Sequence, residues 1–153
     1  MQLDNFRVLL VDNNRDHRVL FRSALKAGGL DLDLFEVGDG FSAICYLLGN
    51  EPYSDRTKFP MPDLIFLDWD IPDMDGFGVL RVIRANLGFQ NLPIVVLARS
   101  GSEGDRAMAY SLGATSFHEK PARPRDFVTL LKNIIGIWHR GDLTPMGRKI
   151  AWV

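Results

Sequence analysis

The sequence predicts a doubly wound α/β fold, a five-stranded parallel sheet flanked by five helices. Three observations predict it. Unbroken apolar runs occur at VLLV (8–11), LIFL (64–67) and IVVL (94–97); strands covered on both faces by helices read as continuous runs, whereas half-exposed strands alternate. Helical patterns fill the intervals, and strand–helix alternation requires right-handed crossovers in a parallel sheet. The size also suits one domain: 153 residues, 46% hydrophobic and 24% charged, allow a real core but not two.

The elements follow in order. The first strand, at VLLV, leads to a helix over 14–27 carrying Val19, Leu20, Ala24 and Ala27, which stops at Gly28-Gly29. The second strand, DLDLFEV (31–37), alternates Leu30, Leu32 and Leu34 and suits a sheet edge. A helix over 41–48 follows a GDG turn; Cys45 lies within its apolar pattern AICYLL and reads as core filler. A single cysteine cannot form an internal disulfide, which fits a reducing compartment. The 49–62 stretch, GNEPYSDRTKFPMP, reads as a polar, proline-bounded loop longer than usual for such connections. After the third strand at LIFL, residues 75–87 place Phe77, Leu80, Ile83 and Leu87 on one helix face before Gly88. After the fourth strand at IVVL, a weakly amphipathic helix over 103–112 ends at Gly113, and a short strand falls within 114–120. The last helix is the clearest, with Phe127, Leu130, Leu131, Ile134, Ile135 and Trp138 at i, i+3, i+4, i+7, i+8 and i+11.

Several function classes are excluded or disfavoured. Eighteen basic against nineteen acidic side chains give a net charge of −1, no footprint for nucleic acid. No apolar stretch approaches the roughly 20 residues of a membrane span, and MQLDNFRVLLVDNNRD lacks the order of a secretory signal. A cytoplasmic location is the expectation. VGDGFSA lacks the G-x-G-x-x-G of dinucleotide binding.

The chemistry lies where the strands end. Open doubly wound sheets bind ligands at the carboxyl ends of their strands, where strand order reverses. The first strand ends on Asp12, followed by Asn13 and Asn14; the third ends on Asp68; the fifth ends on Lys120, followed by Pro121. Each residue alone is ordinary: Asp12 could cap a helix, Asp68 a turn, and Lys120 could be a solvated loop residue. Together at one rim they make a place for a phosphoryl group. Asp68 can attack phosphorus and form an acyl phosphate, a hard cation such as Mg²⁺ takes carboxylate and phosphate oxygens together, and Lys120 offers a compact positive charge. His17, His118 and His139 have no spacing that suggests a metal site or a dyad. The expectation is that His17 and His139 are exposed, that His118 is a loosely packed strand residue, and that none carries function.

VLLVDNN, LIFLDWDIPDMDGFGVL, PIVVL, LGATSF and KP together resemble the receiver domains of two-component response regulators, over residues 5–138. The resemblance implies a flavodoxin-like sheet of strand order 2-1-3-4-5 and a receiver domain over 5–140 with a tail over 141–153. It implies that Asp68 accepts a phosphoryl group from a sensor histidine kinase or phosphotransfer protein. Asp12, Asn13 and Asp68 would hold Mg²⁺ with the backbone carbonyl of Asp70, and Lys120 would contact the phosphoryl group. Phe117 matches an aromatic that swings on phosphorylation, and the readout is the face of the fourth helix, fifth strand and fifth helix. The chain would be no enzyme beyond self-phosphorylation and self-dephosphorylation at Asp68. No output domain fits in its length, so it would act by docking, as single-domain chemotaxis-type receivers do; a homodimer is a further expectation. The 49–62 loop and the ending IIGIWHRGDLTP are similar to single-domain receivers that partner with phytochrome-type kinases.

Two positions depart from the pattern. Receivers carry two adjacent acids after the first strand, and here the second is Asn13, whose amide brings no charge to a dication. After the fourth strand the family places Thr or Ser; VVLARS puts Ala98 there, which cannot donate a hydrogen bond to a phosphoryl oxygen. Arg99 is the best compensating phosphate contact, and the Asp70 side chain could restore the charge lost at Asn13 if it turns inward. These departures favour a second reading, a phosphorylation-independent pseudo-receiver interaction module. A third is a phosphatase, since FLDWD resembles the DxD signature of haloacid dehalogenases, but that signature sits near an N-terminus and does not continue Ile71-Pro72.

Overall fold

The structure, a computed structural model, describes residues 2–71, 76–85 and 89–140. Leu87 and Gly88, the expected end of the third helix, and the 141–153 tail lie outside the described residues. Among those described, strands and helices alternate: β1 (Gln2–Val11), α1 (Arg15–Ala27), β2 (Asp31–Val37), α2 (Gly40–Leu48), β3 (Leu64–Asp68), α3 (Gly76–Ala85), β4 (Ile94–Ala98), α4 (Glu103–Ser111), β5 (Ser116–Glu119) and α5 (Pro124–Arg140). The strands form one parallel sheet in the order β2-β1-β3-β4-β5, the flavodoxin-like order expected. The three unbroken apolar runs are its three central strands, and every residue of β3 and β4 is buried. The strand at 31–37 is an edge, as its alternation requires.

Side-chain alternation sorts the core into two clusters. Leu9, Val11, Ile65, Leu67, Val96 and Phe117 face α2, α3 and α4. Val8, Leu10, Leu64, Phe66, Val95 and Leu97 face α1 and α5. The helices leaving β1 and β3 thus cover opposite faces, and a crevice opens between those two strand ends.

Helix ends are fixed by side chains that satisfy orphan N–H groups. Asn14 caps α1, its Oδ1 accepting from the His17 N–H at 3.1 Å. Asp39 caps α2 and Ser102 caps α4. The ordinary alternative for Asp12, capping this helix, is thus taken by Asn14. β1 is longer than its apolar run, starting at Gln2 with a register irregularity where Asn5 takes φ 61°. The 49–62 loop is anchored: the Arg56 guanidinium donates to the carbonyls of Tyr46, Leu47 and Phe59 at 2.7, 2.8 and 2.9 Å.

Candidate phosphoryl-binding site

Alternation carries from the strands into the site. Even-numbered residues of β1 and β3 face α1 and α5, and Asp12, Asp68 and Lys120 continue that phase. Asp12 and Asp68 are 3% and 5% exposed, so water offsets little of their charge. The Lys120 ammonium lies between them, with Nζ 3.1 Å from Asp12 Oδ2 and 3.5 Å from Asp68 Oδ1. Lys120 is aligned by its own backbone, whose N–H donates to the Ala98 carbonyl at 2.7 Å. Asp12 Oδ1 accepts from the Asn14 N–H at 2.9 Å, and the Arg18 guanidinium holds the Asp12 carbonyl at 2.6 Å. Three residues distant in sequence share one pocket, as their positions at strand ends predict.

Burial pushes the Asp68 carboxyl above the ordinary carboxylate range; Lys120 pulls it down, Asp12 pushes it up, and the Asp70 N–H, 3.2 Å from Oδ1, pulls it down. Two facing carboxylates in a dry crevice favour a cation. The donors are hard oxygens of the kind Mg²⁺ takes, one or two carboxylates with waters and phosphate oxygens completing the shell. The residues fit such an ion through Asp12 and Asp68. Among the described residues no group of three or more His, Cys, Asp or Glu is arranged to hold a metal.

The other expected site residues are placed differently. Asn13 is exposed beside Asp12. The Asp70 side chain has a partner in the loop after β4, its Oδ2 accepting from the Arg99 N–H at 3.3 Å, and its charge also pushes the Asp68 carboxyl up. Arg99 is exposed and joins the site through that backbone contact. Ala98 is fully buried in the same cluster as Phe117. Phe117 is 1% exposed and points inward, with the Trp69 ring edge-on at 6.0 Å and the Arg106 guanidinium 5.2 Å above it.

The reading of His17 as an exposed residue needs correction. His17 is not a free surface residue: Nδ1 lies 3.0 Å from Lys120 Nζ and 3.8 Å from Asp12 Oδ2. Its only sequence signal was its position three residues after a capping Asn that itself follows the strand-end acid. His118 is half-buried, its ring 3.1 Å from Ser116 Oγ, and burial beside Arg106 lowers its pKa to about 4. It faces a cleft of about 620 Å³ shared with Arg106, Glu119 and Asp126 rather than the carboxylates. His139 is exposed, as expected, with its ring edge against Phe6.

A doubly wound sheet in this strand order, with buried acids at the ends of β1 and β3 and a lysine beyond β5 gathered at one rim, defines a signalling module of the receiver class. The response regulator receiver domain model matches residues 8–132, and the chain belongs to that family, the receiver domains of two-component systems. The response regulator Rcp1 of Synechocystis sp. is 30% identical over 131 residues, 86% of this chain and 87% of that protein. Among solved structures, the phosphorylated cyanobacterial phytochrome response regulator RcpA superposes with a TM-score of 0.82 at 28% identity, over 92% of this chain and 99% of that one. The Mn²⁺-bound form of Rcp1 gives 0.76 at 30% identity, over 86% and 93%.

Proposed function

We propose that the chain is a phosphoacceptor receiver that takes a phosphoryl group onto Asp68 from a histidine kinase or phosphotransfer protein and signals by docking. One observation carries the reading: the Lys120 ammonium bridges two buried carboxylates at the mouth of the sheet. A chain relieved of the chemistry would gain nothing by burying two like charges there. The receiver domain spans 5–140 in this reading, and 141–153 is an appended tail.

In the transfer, an Asp68 carboxylate oxygen attacks phosphorus; the new O–P bond forms as the P–N bond to the donor imidazole breaks. Oδ1 is engaged by the Asp70 N–H and Lys120, which leaves Oδ2 as the attacking oxygen. Burial, by raising the basicity of Asp68, strengthens it as a nucleophile. Asp12 and Asp68 would hold Mg²⁺, which when bound neutralises charge gathering on the phosphoryl oxygens. Lys120 supplies a second fixed charge toward the same oxygens. The relatives support this reading: RcpA is solved phosphorylated and Rcp1 with Mn²⁺. The likeness to RcpA also supports a phytochrome-type kinase as donor.

The second reading, a phosphorylation-independent module, is favoured by two features: Asn13 brings no charge beside Asp12, and Ala98 is buried without a hydroxyl to engage a phosphoryl oxygen. Incubation with acetyl phosphate and Mg²⁺, followed by intact mass, decides between them. The expected result is one phosphoryl adduct on the wild-type chain and none on Asp68→Ala. An unmodified wild-type mass gives the case to the second reading.

A further inference from the structure

We infer that His17 is a positioning residue, holding the Lys120 ammonium in place for the phosphoryl group; the inference rests on the phosphoacceptor reading above. An ammonium has three donors and no acceptor. Around Lys120 Nζ stand three acceptors from three different elements: His17 Nδ1 at 3.0 Å, Asp12 Oδ2 at 3.1 Å and Asp68 Oδ1 at 3.5 Å. The shortest contact is the histidine. Because the ammonium only donates, Nδ1 carries the lone pair and the ring proton sits on Nε2. His17 thus adds to the two carboxylates a third acceptor for the ammonium, one that stands on α1.

The fold makes this contact specific. The Asn14 cap bonds the His17 N–H at 3.1 Å, which sets the first turn of α1 over the end of β1. One residue on, Arg18 grips the Asp12 carbonyl at 2.6 Å and locks the same turn. His17 and Lys120 line a small cavity of about 110 Å³ with Leu20, Leu97 and Phe127, whose apolar walls strengthen a charge–dipole contact. His17 and Asp12 together keep the ammonium off Asp68 by the longer distance. The acceptor carboxylate stays available for attack, while the positive charge is already where the phosphoryl oxygens arrive. Without His17, the flexible lysine stem would be held by carboxylates alone, and its end would shift toward Asp68 or into solvent.

Three full-length variants test this. His17→Leu keeps bulk and removes the acceptor; His17→Asn keeps an acceptor oxygen close to the Nδ1 position; Lys120→Met assigns the Lys120 ammonium in ¹⁵N–¹H spectra. With acetyl phosphate and Mg²⁺, His17→Leu is expected to form the Asp68 adduct about tenfold more slowly than wild type, the size of one hydrogen bond to a charged group. His17→Asn is expected to recover most of that rate. Asn is a poorer helix former than Leu, so a merely structural role would rank the two the other way. Without Mg²⁺ or donor, the Lys120 ammonium signal is expected in wild type and His17→Asn and lost to solvent exchange in His17→Leu. Equal rates and equal ammonium signals in wild type and His17→Leu would overturn the inference. If the wild-type chain takes no phosphate, the phosphoacceptor reading fails, and the ammonium signal alone decides whether His17 positions Lys120.

Discussion

Asp68 is buried against its own interest. Its folded pKa lies above the ordinary value of 3.8, chiefly through desolvation and despite Lys120. Below that ordinary value both folded and unfolded chains carry the proton, and Asp68 costs nothing. As pH rises, the unfolded chain ionises first, so folded stability falls until pH passes the raised folded pKa. Asp68→Asn is therefore expected to be more stable than wild type at neutral pH and no more stable in strong acid. Parallel urea titrations at several pH values measure the difference, and His118, which also titrates in acid, cancels between the two proteins. Asp12, Asp68 and Lys120 were legible in the sequence because a strand end fixes both the place and the phase of a side chain. His17 was not, because which way a first-turn residue faces depends on how its cap seats the helix. The Asp70 carboxylate was not either: its loop leads it to the Arg99 N–H, a partner 29 residues away that no local pattern announces.

Strands were the most readable elements, since burial on both faces leaves unbroken apolar runs with no polar interruptions. Their ends were less so; β1 extends back past its run through the irregularity at Asn5. The 49–62 stretch reads as a polar loop, yet Arg56 binds it to the end of α2, and its Tyr53 and Phe59 rings pack edge-on against each other and on Tyr46. Composition does not reveal a single arginine satisfying three carbonyls. The segment between β4 and α4 offers a prediction of its own. Gly101 packs so closely on Phe117 that a Cβ there would overlap the ring edge, and its N–H donates to Glu119 Oε1 at 3.0 Å. Gly101→Ala must push the ring or the loop aside. Overpacking of this kind costs about 1–3 kcal/mol, which equilibrium denaturation measures. The same change should move the Phe117 ring resonances away from their wild-type positions if this packing holds the inward rotamer. Ring resonances unmoved from wild type would show that Gly101 does not set that rotamer.

The sheet has helices on both faces, and its ligand crevice is the one place where dividing them is an advantage: α1 leaves toward one face and α3 toward the other. What gathers in the gap is a net negative charge. Lys120 is the internal cation that makes this tolerable, since it contacts both acids and is itself only 17% exposed. Lys120→Met removes it and leaves two buried carboxylates facing each other. Breaking a partly buried ion pair from one side should cost about 1–3 kcal/mol at neutral pH. The deficit should shrink in acid, where protonating one carboxylate relieves the repulsion. Mg²⁺ answers the same carboxylates, so the variant should gain more from it than wild type does, because there no ammonium already offsets their repulsion. Thermal melts with and without Mg²⁺ read this directly: saturating ion raises Tm in both proteins, and more in Lys120→Met. An Mg²⁺ response equal in the two proteins, or absent from both, would mean that the cation does not bind between Asp12 and Asp68.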